Sequence, residues 1–111
     1  MIEQKPTPAQ TLHELHEILL LAALDNPLQR EIATRYTLCR ELLLQSELRP
    51  ALPGFLQQCL TVHRFHDFIH LYHASVEART SFIEETLRSA MNRARAKRDP
   101  ETLHGAFPGP S

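Results

Sequence analysis

Apolar residues recur along this chain at steps of three and four, the period of helices that bury one face. Leu12, Leu15, Leu19 and Ala22 make the first stripe, and Ile18, Leu20, Leu21 and Leu24 spread apolar character round most of its second half. Leu28, Ile32, Tyr36, Cys39 and Leu43 make the second, widened at its end by Leu42 and Leu44. Phe55, Leu56, Cys59 and Leu60 form a short third group, and Val62, Phe65, Phe68, Ile69 and Tyr72 a fourth. The fifth is long: Val76, Thr80, Ile83, Leu87, Ala90, Met91 and Ala94. No stretch reads as a strand.

Start and stop signals frame these stripes. Thr7-Pro8-Ala9-Gln10 offers a threonine N-cap, a proline at the first helical position and a glutamine able to reach back. Asn26-Pro27-Leu28-Gln29 repeats that signal, and Arg49-Pro50 closes the second helix because the residue before proline is pushed out of the α region. Pro53, Thr61 and Ser75 open the remaining three, the last with Glu77 in its first turn where the helix dipole favours an acid. Whether the third and fourth are two helices or one kinked helix stays open. The expected architecture is all-α: a compact five-helix bundle with helices over roughly 8–25, 27–48, 53–60, 62–73 and 76–98. A flexible leader over 1–6 precedes a single domain over 7–99, and a disordered Pro/Gly-rich tail over 100–111 follows it.

Composition agrees. A chain of 111 residues, 42% hydrophobic and 23% charged, suits one globular domain with one core. Three glycines are too few for the turns of a sandwich or barrel. Two cysteines without a CxxC pair make no disulfide framework, and the N-terminus lacks the features of a signal peptide. The longest apolar run, Ile18 to Leu24, falls far short of the ~20 residues that cross a bilayer. A reducing, cytoplasmic setting without membrane contact is expected. The net charge of −1 divides unevenly, −4 over residues 1–85 and +3 over 86–111.

The candidate chemistry lies first in the fourth stripe, where His63, His66, His70 and His73 follow one another at steps of three, four and three. Neighbours in such a row can share a metal, with Asp67 as an oxygen ligand or support, and His13 and His16 can add a second pair. The row spans about 15 Å at 1.5 Å per residue, too long for one ion. His13-Glu14-Leu15-His16 is one residue short of the zincin HExxH spacing, which misplaces the general-base glutamate. The same row can gain charge together as the pH falls, or serve as a polar rim beside the core, the reading preferred here. Cys39 and Cys59 fall on apolar faces as core residues. No Gly-rich phosphate loop, activated nucleophile or paired-carboxylate site is present, so neither catalysis nor a bound cofactor is expected.

Arg88, Arg93, Arg95, Lys97 and Arg98 form the one basic cluster, a possible contact for nucleic acid, although no aromatic interleaves it and cations suit a helix C-terminus in any case. Nucleic acid is therefore the disfavoured partner. The surplus apolar residues Ile18, Leu20, Leu21, Leu24, Leu42 and Leu44 point to a protein partner, a second copy or a homotypic helical domain, with His66 and His70 as further interface candidates. The expected function is a non-catalytic interaction or adaptor module that self-associates, with a histidine-rich metal-binding bundle and a nucleic-acid-associated protein as alternatives. Compact domains of this size include the death-fold and effector-associated adaptors, an analogy of architecture alone.

Overall fold

A computed structural model describes residues 6–98, and over that span the chain is all-α with no strand. Five α-helices follow in order: α1 (Pro8–Ala23), α2 (Arg30–Leu44), α3 (Phe55–Gln58), α4 (Val62–Tyr72) and α5 (Val76–Arg98), with a 3₁₀ turn at Arg49–Ala51 between α2 and α3. Most of the expected leader and all of the expected tail lie outside the described residues.

Helix α1 is the axis of the bundle. It packs against α2, α4 and α5, most extensively against α5, while α2 also meets α4. A helix with three neighbours buries more than one stripe, and this is why its second half is apolar nearly all round. Leu12, Leu15, Ile18, Leu19, Ala22 and Ala23 are all buried, and Leu20 packs against the same cluster. Its start is the one expected: the Thr7 hydroxyl accepts the Gln10 amide at 3.1 Å, and the Gln10 side chain accepts the Thr7 amide at 3.0 Å.

The second helix departs from its expected bounds at both ends. Its N-cap is Gln29, without a side-chain cap bond, so the Asn26-Pro27 signal lies unused in the connecting loop. Leu28, just before that cap, packs on the core and sets how the chain enters the helix. At the other end Ser46 competes with the helix. Its hydroxyl donates to the Leu43 carbonyl at 2.7 Å and accepts the Leu48 amide at 3.1 Å, a local turn that carries Leu48 into the core.

Helices α3 and α4 are separate, and α3 is a single turn, shorter than expected at both ends. Side chains of α2 bind the backbone there: Tyr36 Oη donates to the Cys59 carbonyl at 2.6 Å, and Arg40 donates to the Leu56 and Gln57 carbonyls at 2.7 and 3.2 Å. Those carbonyls are therefore satisfied from outside, and Cys59 is extended at φ −90°, ψ 90°. Thr61 then caps α4 by accepting the Arg64 amide, as Ser75 caps α5 by accepting the Ala78 amide. Removing the buried Tyr36 hydroxyl leaves the Cys59 carbonyl without its partner. Tyr36→Phe is expected to lower unfolding stability by about 1–3 kcal/mol, read from the urea midpoint at unchanged slope.

Candidate functional site

The histidine row divides into three environments. His63 is exposed. His66 and His70, one turn apart, stack with ring centroids 4.0 Å apart. His73, just past the end of α4, lies against the Phe82 ring at 4.7 Å. His66 Nδ1 stands 3.6 Å from the exposed Asp67 carboxylate. His70 Nε2 meets the Ala22 carbonyl at 3.0 Å, and since a carbonyl only accepts, the imidazole donates there. Its Nδ1 is 3.8 Å from Asp25. The first-helix pair points elsewhere: His13 pairs with Glu17 of its own helix at 3.3 Å, and His16 turns to Glu84 on α5. That contact is 4.0 Å long, and the buried His16 Nε2 makes no hydrogen bond. Among the described residues, no group of three or more His, Cys, Asp or Glu is arranged to hold a metal ion.

The ends of α1 and α4 instead meet at an arginine. Arg79, only 6% exposed, donates from Nε to the His73 carbonyl at 2.9 Å and from Nη2 to the Ala74 carbonyl at 3.0 Å. Its Nη1 reaches the Ala23 carbonyl at 2.9 Å and the Asp25 carboxylate at 3.3 Å. The last carbonyls of a helix lack intrahelical partners and carry the negative end of its dipole, so a buried cation satisfies both needs. His70 adds a fifth hydrogen bond to the same cluster. α1 ends at Ala23, two residues earlier than expected, and Leu24 is extended. The apolar pattern passes over Arg79 in favour of Thr80, yet Arg79 stands four residues before Ile83 and eight before Leu87, on the buried face. That spacing was the signal for it.

Cys39, Cys59 and Tyr36 are also buried, Tyr36 joined to the Cys59 carbonyl. Burial pushes the Cys39 thiol up from 9.0 to about 11, the Glu14 carboxylate adding to the shift and Arg35 opposing it. Burial likewise raises Cys59 against the pull of Arg40 and Arg64, and raises Tyr36 further. The Glu14–Arg35 pair joins α1 to α2 at 2.7 Å, and the hydrogen bond that Arg35 Nε donates to the Glu14 carboxylate raises the Arg35 pKa. Both side chains are about two-fifths exposed, which limits what the pair adds to stability.

Of the apolar residues expected on a docking face, Ile18 is wholly within the core, and Leu20, Leu24, Leu42 and Leu44 are half-buried. Leu21 alone of that set is largely exposed. The most exposed large apolar side chains stand at the end of α4, Leu71 at 75% and Tyr72 at 67%; Val76, at the start of α5, is only 38% exposed. The expected core position of Tyr72 is thus at the surface, although its ring keeps contact with Phe68 at 5.3 Å. Phe68 in turn meets Phe55, Phe65 and Phe82, so the corner rests on a continuous aromatic cluster. Leu38 on α2 and Leu60 in the link between α3 and α4 are also exposed. At the far end of α5, Arg88, Arg93 and Arg95 are exposed, and the side chains of Lys97 and Arg98 lie outside those described. A groove of about 790 Å³ opens between this end of α5 and the first turns of α1. No described helix is long and apolar enough to cross a membrane. Comparisons with protein-family models, with curated proteins and with solved structures each return no match.

Two outcomes follow from the buried groups. Arg79→Met strips three hydrogen bonds from carbonyls at the two helix ends and leaves Asp25 without its guanidinium; a loss of about 3–5 kcal/mol is expected in urea unfolding. Arg79→Lys is expected to recover only part of it, because an ammonium lacks the planar fork that reaches carbonyls on separate helices. The Cys39 thiol holds its proton more tightly folded than unfolded. The stability linked to it is complete below pH 9.0 and is lost as the pH rises through about 11. Urea midpoints measured across that range are expected to fall, and to fall less steeply in Cys39→Ala.

Proposed function

We propose that this chain is a non-catalytic helical interaction module that binds protein, its own copies included. The supporting observation is the corner at Leu71 and Tyr72. There, large apolar side chains project into solvent from a rigid helix end although the bundle's own core is already closed. Isolated exposed leucines are ordinary on a protein surface, whereas an aromatic and an aliphatic anchor side by side on a fixed scaffold suit an interface. The two free, buried thiols are compatible with a reducing cytoplasmic setting. The exposed arginines at the other end of α5 favour acidic groups on whatever protein meets that end.

Sedimentation equilibrium over a wide concentration range tests the reading. The wild-type mass is expected to rise with concentration, and the Leu71→Ser, Tyr72→Ser double variant to stay monomeric. Because both side chains are mostly exposed, the melting temperature of the double variant should stay close to wild type. A wild-type chain that remains monomeric at the highest concentration reached would sink the proposal.

A further inference from the structure

The groove at the far end of α5 lies where the chain passes out of the described residues. Arg95 lines it, and three residues later α5 reaches its last described residue, Arg98. Of its apolar lining, Leu12 and Ala94 are buried, whereas Pro8, Ala9 and Met91 are half-buried and keep apolar surface open to the groove. Its volume near 790 Å³ falls within the roughly 300–1,000 Å³ of pockets that enclose a sizeable ligand. Charge does not select an occupant, because Arg95 and Glu47 both line it.

Position along the chain does. Asp99-Pro100 follows α5 as a helix stop, since a residue before proline is pushed out of the α region. Beyond that stop, Leu103 and Phe107 are the large apolar residues, five and nine positions after Arg98. At about 3.4 Å per extended residue they reach up to about 17 and 30 Å from Arg98. Met91 is seven residues back along α5, about 10 Å at 1.5 Å per residue. Both side chains therefore reach the groove from their own chain. A short tether gives an effective concentration in the millimolar range, about a thousandfold above a second copy supplied at micromolar concentration. Residues 1–5 also leave beside the groove, next to Thr7, but their apolar residues are Met1 and Ile2, without an aromatic ring.

We infer that the groove receives Leu103 and Phe107 of the same chain, laid over Met91 and the first turns of α1. The contact does not depend on the interaction-module reading. It covers one end of the bundle from within the chain and leaves the corner at Leu71 and Tyr72 as the apolar surface open to other molecules.

Met91 and Met1 are the two methionines of the chain, so carbon-13 methyl labelling gives two signals, which Met91→Leu assigns. In the full chain a nuclear Overhauser effect is expected between the Phe107 ring and the Met91 methyl. Phe107→Ser is expected to abolish it and to shift the Met91 signal while Met1 stays in place. The substitution leaves every described core residue intact, and helical circular dichroism checks that the bundle persists. A Met91 signal identical in wild type and Phe107→Ser overturns the inference. So does a Met91 signal that answers to Ile2→Ser instead, which gives the groove to residues 1–5. Labelled Phe107→Ser mixed with unlabelled wild type separates the remaining occupant. No change at Met91 is expected there, and a return of the wild-type signal overturns the inference in favour of a second copy. A wild type that stays monomeric in sedimentation fails the interaction-module reading and leaves this contact standing.

Discussion

Two helices of this bundle end at one place, and the guanidinium of Arg79 makes that arrangement tolerable. Each helix end presents carbonyls without intrahelical partners, and two such ends side by side bring together two negative dipole ends. Water would satisfy them at a surface, but here Ala22 and Ala23 are buried beneath α4 and α5. Arg79 answers with a rigid fork of donors that reaches Ala23, His73 and Ala74 at once, and the Asp25 carboxylate offsets its charge. A lone buried cation would be costly. One surrounded by three carbonyls and a carboxylate is the compensated case.

The same contact sets the geometry around it. Arg79 sits in the first turn and a half of α5, and its bonds to His73 and Ala74 hold the turn that follows Tyr72. His70, one residue before Leu71, is pinned to the end of α1. The exposed corner therefore stands on backbone fixed from beneath by side chains on both flanks. Side chains on such a support have little backbone freedom left to lose.

Much of the fold was legible because most of its signals are local. The capping box at Thr7 and Gln10 and the caps at Thr61 and Ser75 each need only a few consecutive residues and read correctly, and the three-four spacing of the apolar residues places most of the core, missing where Leu60, Tyr72 and Val76 are exposed and Arg79 is buried. Failures came where distant parts of the chain decide. Asn26-Pro27 is as good a helix start as Thr7-Pro8 in isolation, yet the path from α1 to α2 places the cap at Gln29. The end of α2 turns on whether Leu48 belongs in the core, and the break after α3 on Tyr36 and Arg40 reaching over from another helix. The surplus apolar surface of α1 was visible, but whether other helices or another chain cover it depends on how many helices surround α1.

The histidine row shows the same division for the candidate site. Its spacing is correct as helix geometry, and the sequence places all four side chains near one face. What each does is set by what the face meets: solvent at His63, a stacked partner at His66, a helix end at His70 and an aromatic ring at His73. A row on one helix acts as a unit only when a single environment runs along it. Here the end of α1 crosses the row at His70, so that histidine serves the same helix-end carbonyls as Arg79, while Leu71 and Tyr72, the next two residues, turn to the exposed side of the same helix. Helical rotation of about 100° per residue is enough to place a structural clasp and an exposed apolar surface on adjacent positions.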